Sequence, residues 1–404
     1  MRFKFIQNTQ EIIKSFQERT QDRQKRRRFI SLQPGTSPIG NVLISYILEP
    51  FLLKSLPHNH TQYWECQQIA QTFLNMGYAV DIIRYDNDAF IPEKDYKFFI
   101  ETRWNLQRCH PYLSSDCIKI FHADTAHILF HNAAEANRLL ALQKRRGVTL
   151  KSQRYEPPNH ALENADYVTV LGNEFTINTF TYANKPIYRI PISSQFTYPW
   201  NESKDFDACR RNFLWIGSKG LVHKGLDLLL EAFSQMPEYH LTICGAINQE
   251  TDFAAAYNQE LYHTPNIHTF GWVDIGSQEF INLTNNCLGV VYPSCSEGGG
   301  GCVINCMHAG LIPLVSYEAS VDIADRYGVI FPESSVTEIK NTVQRIAKLP
   351  TSVLKNMSRS AWEFARQNHT QEKFATTYHQ TIQSILANHP NQQRLVSHTT
   401  VHYA

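Results

Sequence analysis

The stretch from Leu288 to Ser316 restricts the fold more than any other part of the chain. An apolar strand, Leu288 to Tyr292, runs into Pro293-Ser-Cys-Ser-Glu297. Four glycines follow: Gly298, Gly299, Gly300 and Gly301. A short helix-like run, Cys302 to Ala309, is stopped by Gly310, and a second strand covers Leu311 to Ser316. Glycines between a strand and a helix let the backbone approach a ligand closely. The helix then turns its free N–H groups and positive dipole end toward that ligand. Such a loop suits a diphosphate.

The same α/β alternation opens the ordered part of the chain. Val42 to Leu48 reads as a strand. Cys66, Ile69, Ala70, Phe73 and Leu74 then repeat at helical spacing, and Gly77 is placed to end that helix. Tyr78 to Arg84 reads as the next strand, so a parallel, doubly wound sheet is predicted. Strands at 97–100, 117–121, 167–171 and 187–190 and a helix at 133–144 continue the pattern. The composition breaks between Ser193 and Arg211, around Pro199, Trp200 and Asn201, and a second unit starts with a strand at Phe213 to Ile216. The expected division is a polar, basic leader helix at 1–39, a first Rossmann-like domain at 40–198, a linker at 199–210 and a second Rossmann-like domain at 211–369. A helix at 370–387 and a frayed tail at 388–404 complete it.

Composition narrows the function. Hydrophobic content of 43% and charged content of 19% describe an ordinary globular protein, and a net charge of +1 argues against nucleic acid as partner. No run approaches a membrane span, and the N-terminus lacks an apolar signal core. Nine scattered cysteines without a Cys-x-x-Cys pair fit free thiols in a reducing cytoplasm rather than a zinc site. The basic cluster Arg23 to Arg28 reads as a solvated face, with peripheral contact to anionic lipid as the sharper alternative. A P-loop, a Gly-x-Ser-x-Gly elbow and a Gly-x-Gly-x-x-Gly turn after the first strand are all missing.

Ser294, Glu297, Gly298, Gly300, Gly310 and Pro313 fall in register with a Ser-x-x-Glu-Gly-x-Gly loop followed by a helix and a Gly-x-Pro strand. This segment resembles the nucleotide-sugar loop of retaining glycosyltransferases of the GT-B fold, the family 4 group. Phe213 to Phe233 is similar to that family's Gly-Arg-(x)5-Lys-Gly segment, with Lys224 on the Lys position. Two positions depart. Ser218 replaces the Arg, leaving adjacent Lys219 as a substitute, and Asn305 replaces a second Glu.

The resemblance implies two doubly wound domains facing a cleft, the terminal helix crossing back to the first. It implies transfer of a sugar from a nucleoside diphosphate sugar, with retention and without metal or cofactor. Lys224 and Gly298 to Gly301, with Ser218, Lys219 and Ser296 alongside, would hold the diphosphate. Glu297 would grip the sugar and Asn305 would lie near the ribose. Gly271, Trp272 and Val273 would border the base. His122, at the end of a first-domain strand, would touch the sugar from the opposite wall, with Asp124 as a second candidate. His58 and His60 border the expected acceptor side without a carboxylate at metal-ligand spacing. Asp86-Asn-Asp88 ends a strand and reads as a surface loop. The acceptor would be a sugar, a lipid-linked group or a small molecule. Rival readings are a non-catalytic binding module and a GT-B enzyme of another reaction type, an epimerase or phosphorylase.

Overall fold

The structure, a computed structural model, describes residues 28–58 and 60–390. The Arg23 to Arg27 part of the basic cluster and the tail beyond residue 390 lie outside the described residues. Two sheets organise the rest. The first contains β1 (Phe29–Leu32), β2 (Asn41–Tyr46), β3 (Ala79–Arg84), β4 (Tyr96–Glu101), β5 (Ile118–Ala123), β6 (Tyr167–Val170) and β7 (Ile187–Arg189), in the order β1-β3-β2-β4-β5-β6-β7. From β3 to β7 every pairing is parallel. β1 corrects the end of the leader helix expected over 1–39, of which residues 1–27 lie outside the described residues: Phe29 to Leu32 adds antiparallel to β3 as an edge strand. Its alternating exposure, with Phe29 and Ser31 turned outward, is the period-2 pattern of an edge strand with one wet face.

The second sheet contains β8 (Asn212–Gly217), β9 (His240–Gly245), β10 (Ile267–Gly271), β11 (Gly289–Tyr292), β12 (Ile312–Val315) and β13 (Val329–Ile330), in the order β10-β9-β8-β11-β12-β13. All of its pairings are parallel. Its central strands are buried along their length, as covered parallel sheets require. Trp215, Phe213, Phe233 and Phe280 fill its core.

The stretch between the sheets is not a free linker. Tyr198, Phe206 and Cys209 sit in the second domain's core, and Asp205 caps a short helix at Phe206–Cys209. Near the C-terminus the chain returns. Helix α1 (Gln62–Asn75) of the first domain packs against the last helix of the described residues (Gln371–Asn388). Phe374, Tyr378, Ile382 and Ile385 of that last helix, all fully buried, belong to the same core cluster as Val42, Ile44 and Phe98.

An interdomain cavity as candidate functional site

Parallel sheets gather their functional groups at the carboxyl ends of their strands. Here the ends of β5 and β8 and the turn after β11 face one cavity of about 320 Å³. Its floor is the glycine turn that leads into helix α3 (Gly301–His308), and Gly298 to Gly301, Cys302 and Asn305 all line it. Gly298 is required by close approach: a Cβ there would stand 2.2 Å from the Asp124 carbonyl oxygen and 2.5 Å from the Thr125 nitrogen. The turn of the second domain is thus pressed against the backbone of the first.

Lys224 and Glu297 meet in the cavity. The Lys224 Nζ donates to Glu297 Oε1 at 2.8 Å and to the Tyr292 hydroxyl at 3.0 Å. Tyr292 and Ser294 donate to the same Oε1, at 2.8 and 2.9 Å. Three donors converge on one carboxylate oxygen, while Oε2 has no protein hydrogen-bond partner among the described residues. Burial opposes the charge of Glu297, but Lys224 and Arg154 outweigh it and hold the carboxyl well below its ordinary range. The carboxylate is therefore ionised and fixed, with one oxygen left for a ligand.

The remaining donor-side residues divide. Ser218, Trp272, Val273 and Asn305 line the cavity. Asn305 Oδ1 accepts from Ser194 Oγ at 2.8 Å, which leaves its amide nitrogen available. Trp272 is half exposed at the rim beside Val273, Ile275 and Ile216. Gly271 and Lys219 do not reach the cavity, and Lys219 is exposed to solvent. Lys219 therefore does not replace the cation missing at Ser218. Ser296 is occupied elsewhere. It is fully buried, its Oγ pairs with His131 Nδ1 at 3.2 Å, and its carbonyl pairs with His223 Nε2 at 2.5 Å.

His122 is likewise placed away from the cavity. It is fully buried in β5, with Nδ1 on Thr169 Oγ1 at 2.8 Å and its ring between Tyr46 and Tyr378. Burial lowers its pKa to about 4, so it is neutral. It shares a face with Asp124, two residues on, but lies one strand step deeper. Asp124 is the residue at the cavity, ion-paired with Arg103 and 3.3 Å from the Tyr46 hydroxyl.

Several cavity residues gave no sequence signal. Arg103, Arg154 and Glu156 come from irregular segments of the first domain, and Glu65 from α1. Glu65 accepts from the Ser193 nitrogen at 2.9 Å and Oγ at 2.8 Å, which ties α1 to the start of the interdomain crossing. Its burial pushes its pKa up to about 7. Helical spacing marked Cys66 and Ile69 as an inward face but could not show Glu65 beside them. His58 and His60 line the cavity near its mouth, and His58 Nδ1 lies 3.4 Å from Asp274. Among the described residues no group of three His, Cys, Asp or Glu side chains is arranged to hold a metal ion. Asp86 pairs with Arg84, as a structural loop residue does.

Solved structures share this architecture. Sucrose-phosphate synthase from Thermosynechococcus elongatus superposes with a TM-score of 0.60 at 16% identity, over 88% of this chain and 100% of its own. HepE of Anabaena, solved with UDP and glucose, superposes with a TM-score of 0.54 at 14% identity, over 86% of this chain and 99% of its own. WaaG, a glycosyltransferase involved in lipopolysaccharide biosynthesis, gives 0.51 at 15% identity, over 83% and 97%. No curated protein sequence matches the chain significantly. The fold these structures share with the chain is GT-B, two Rossmann-like domains facing a cleft. Residues 211–364 match the family described as glycosyl transferases group 1.

Proposed function

We propose that the chain transfers a sugar from a nucleoside diphosphate sugar to an acceptor, with retention at the anomeric carbon and without a bound metal. One observation carries this reading: the Lys224–Glu297 pair stands at the glycine turn and the N-terminus of α3, inside a cavity walled by both domains. A leaving nucleoside diphosphate gains negative charge as the glycosidic bond breaks. A fixed ammonium and unpaired helix N–H groups stabilise that charge. Glu297 Oε2 would accept from the sugar's hydroxyls. Asn305 would donate to the ribose, and Trp272 with Val273 would flank the base. UDP and glucose, with which HepE was solved, are of the class that suits this cavity.

The first-domain wall, with His58, His60, Gln62 and the Arg103–Asp124 pair, suits a hydroxyl-bearing acceptor, whether a sugar, a lipid-linked group or a small molecule. The leaving phosphate takes the acceptor's proton, so the scheme needs no protein base. Closure of the two domains around the donor excludes water and limits hydrolysis.

Thermal unfolding with UDP, GDP, ADP and their sugar conjugates tests the reading. A ligand that binds only the native state raises Tm by mass action. The expected result is a shift with one nucleotide that Lys224→Ala abolishes, and an added shift from the sugar that Glu297→Ala abolishes. No shift with any of them at millimolar concentration would sink the donor site. Ser218 and Asn305, two uncharged residues at expected donor contacts, favour a second reading, a binding module without turnover. Donor binding without any product, with or without acceptor, would select it. Product formed without acceptor would point instead to an epimerase-type reaction.

A further inference from the structure

The loop between β8 and the helix at Leu226–Phe233 carries Lys224 but has Ser218 where a second cation is expected, and Lys219 turns to solvent. Directly across from it, Arg154 of the first domain enters the same cavity. Its aliphatic stem crosses the loop at Gly220: a Cβ on Gly220 would stand 2.7 Å from Arg154 Cγ and 3.1 Å from Cδ. Gly220 therefore leaves the notch through which the side chain passes.

The backbone of Arg154 is held on both sides by helix α2 (Ile128–Arg146). Its N–H donates to Glu135 Oε1 at 3.0 Å, and its carbonyl pairs with His131 Nε2 at 2.8 Å. Glu135 and His131 are both buried. The loop opposite is held as firmly, with the Gly220 N–H donating to Glu250 at 2.6 Å. The guanidinium itself has no hydrogen-bond or ion-pair partner among the described residues. A permanently charged, preorganised fork left without a partner in a cavity is fitted for an oxyanion.

We infer that Arg154 supplies, from the first domain, the second diphosphate-binding cation that the Ser218 loop of the second domain lacks. The inference rests on the donor-site reading above. It differs in placing one of the two cations on each domain. The diphosphate then bridges the domains, and its binding draws them together.

Isothermal calorimetry with UDP, GDP and ADP, each beside its nucleoside, tests this on the full chain. Arg154→Ala should weaken binding of the preferred diphosphate roughly 10- to 100-fold and leave the nucleoside unchanged. Arg154→Lys should fall between the two. Adding Ser218→Arg to Arg154→Ala should recover most of the lost affinity, because it returns a cation to the loop. A purely structural role for Arg154 would not respond to that rescue. Unaltered diphosphate affinity in Arg154→Ala, while Lys224→Ala weakens it, overturns the inference and leaves the donor site standing. Failure of the native chain to bind any of the three diphosphates overturns both.

Discussion

At the residue scale, the Lys224–Glu297 pair is nearly buried, with side chains 6% and 13% exposed. Removing one member of such a pair leaves the other without its nearest counter-charge, which costs about 3–5 kcal/mol. Lys224→Met should therefore lower stability by about that amount in urea unfolding. Adding Glu297→Gln should recover part of the loss, because the neutral amide needs no counter-charge. Additive losses in the double variant would show that the pair is not coupled. Both residues were legible in the sequence because they lie in compact motifs whose spacing survives in one dimension. Arg154 was not legible. It is a lone arginine in an aperiodic stretch, and its meaning comes from Gly220, 66 positions away. His122 shows the converse limit. Strand alternation tells which face a residue takes, not how far it stands from the strand's end, and Asp124 occupies the height expected of His122.

At the element scale, periodicity placed the strands named from sequence and the helices at Gln62–Asn75 and Ile128–Arg146 to within about five residues, but it did not announce the helices at Glu174–Phe180, Gln278–Asn285 and Val336–Ala347. The edge strand β1 escaped it. Four residues beside a basic run offer only two turns of alternation, and an antiparallel addition needs no crossover helix to announce it. The crossing between domains also read as a linker because its anchors, Tyr198, Phe206 and Cys209, have no period. The helix at Gln371–Asn388 carries the clearest energetic prediction. Phe374 is fully buried against Trp64 at 5.7 Å between centroids and stacks on Tyr378 at 5.9 Å. Phe374→Ala should cost about 3–5 kcal/mol. The loss should appear as early hydrogen exchange in α1 and β2, with β11 and β12 protected as before. Equal loss of protection in both sheets would mean that the helix supports the molecule as a whole.

At the scale of the molecule, α2 clasps the second domain. Arg145 pairs with Asp227 and Glu231, Arg146 with Glu260, and Arg138 donates to the Pro293 carbonyl. At the centre of the clasp His131 and His223 lie with ring centroids 4.7 Å apart. Burial, followed by the charge of Arg154, lowers the His131 pKa to about 4, and His223 is also pushed down by burial. An unfolded histidine titrates near 6.5. The unfolded state thus binds more protons between about pH 6.5 and 4, and His131 costs stability as pH falls through that window. By pH 5 its share is roughly 2 kcal/mol. Buried Glu65 and Glu101, with pKa values raised to about 7, act in the opposite direction. The readout is therefore a difference: His131→Asn should lose less stability than the native chain between pH 7 and pH 5. Parallel pH profiles for the two would exclude His131 as a contributor.

The return of the last helix to the first sheet has a consequence for synthesis. Domains tend to fold in order as the chain emerges from the ribosome. Here every strand of the second sheet is made before Phe374, Tyr378, Ile382 and Ile385 exist. The second domain is in effect a long parenthesis inside the first, and the domain that begins first is the last to close its core. Until the helix at Gln371–Asn388 is made, its docking site on α1 remains exposed apolar surface, a binding site for chaperones that the folded chain does not present.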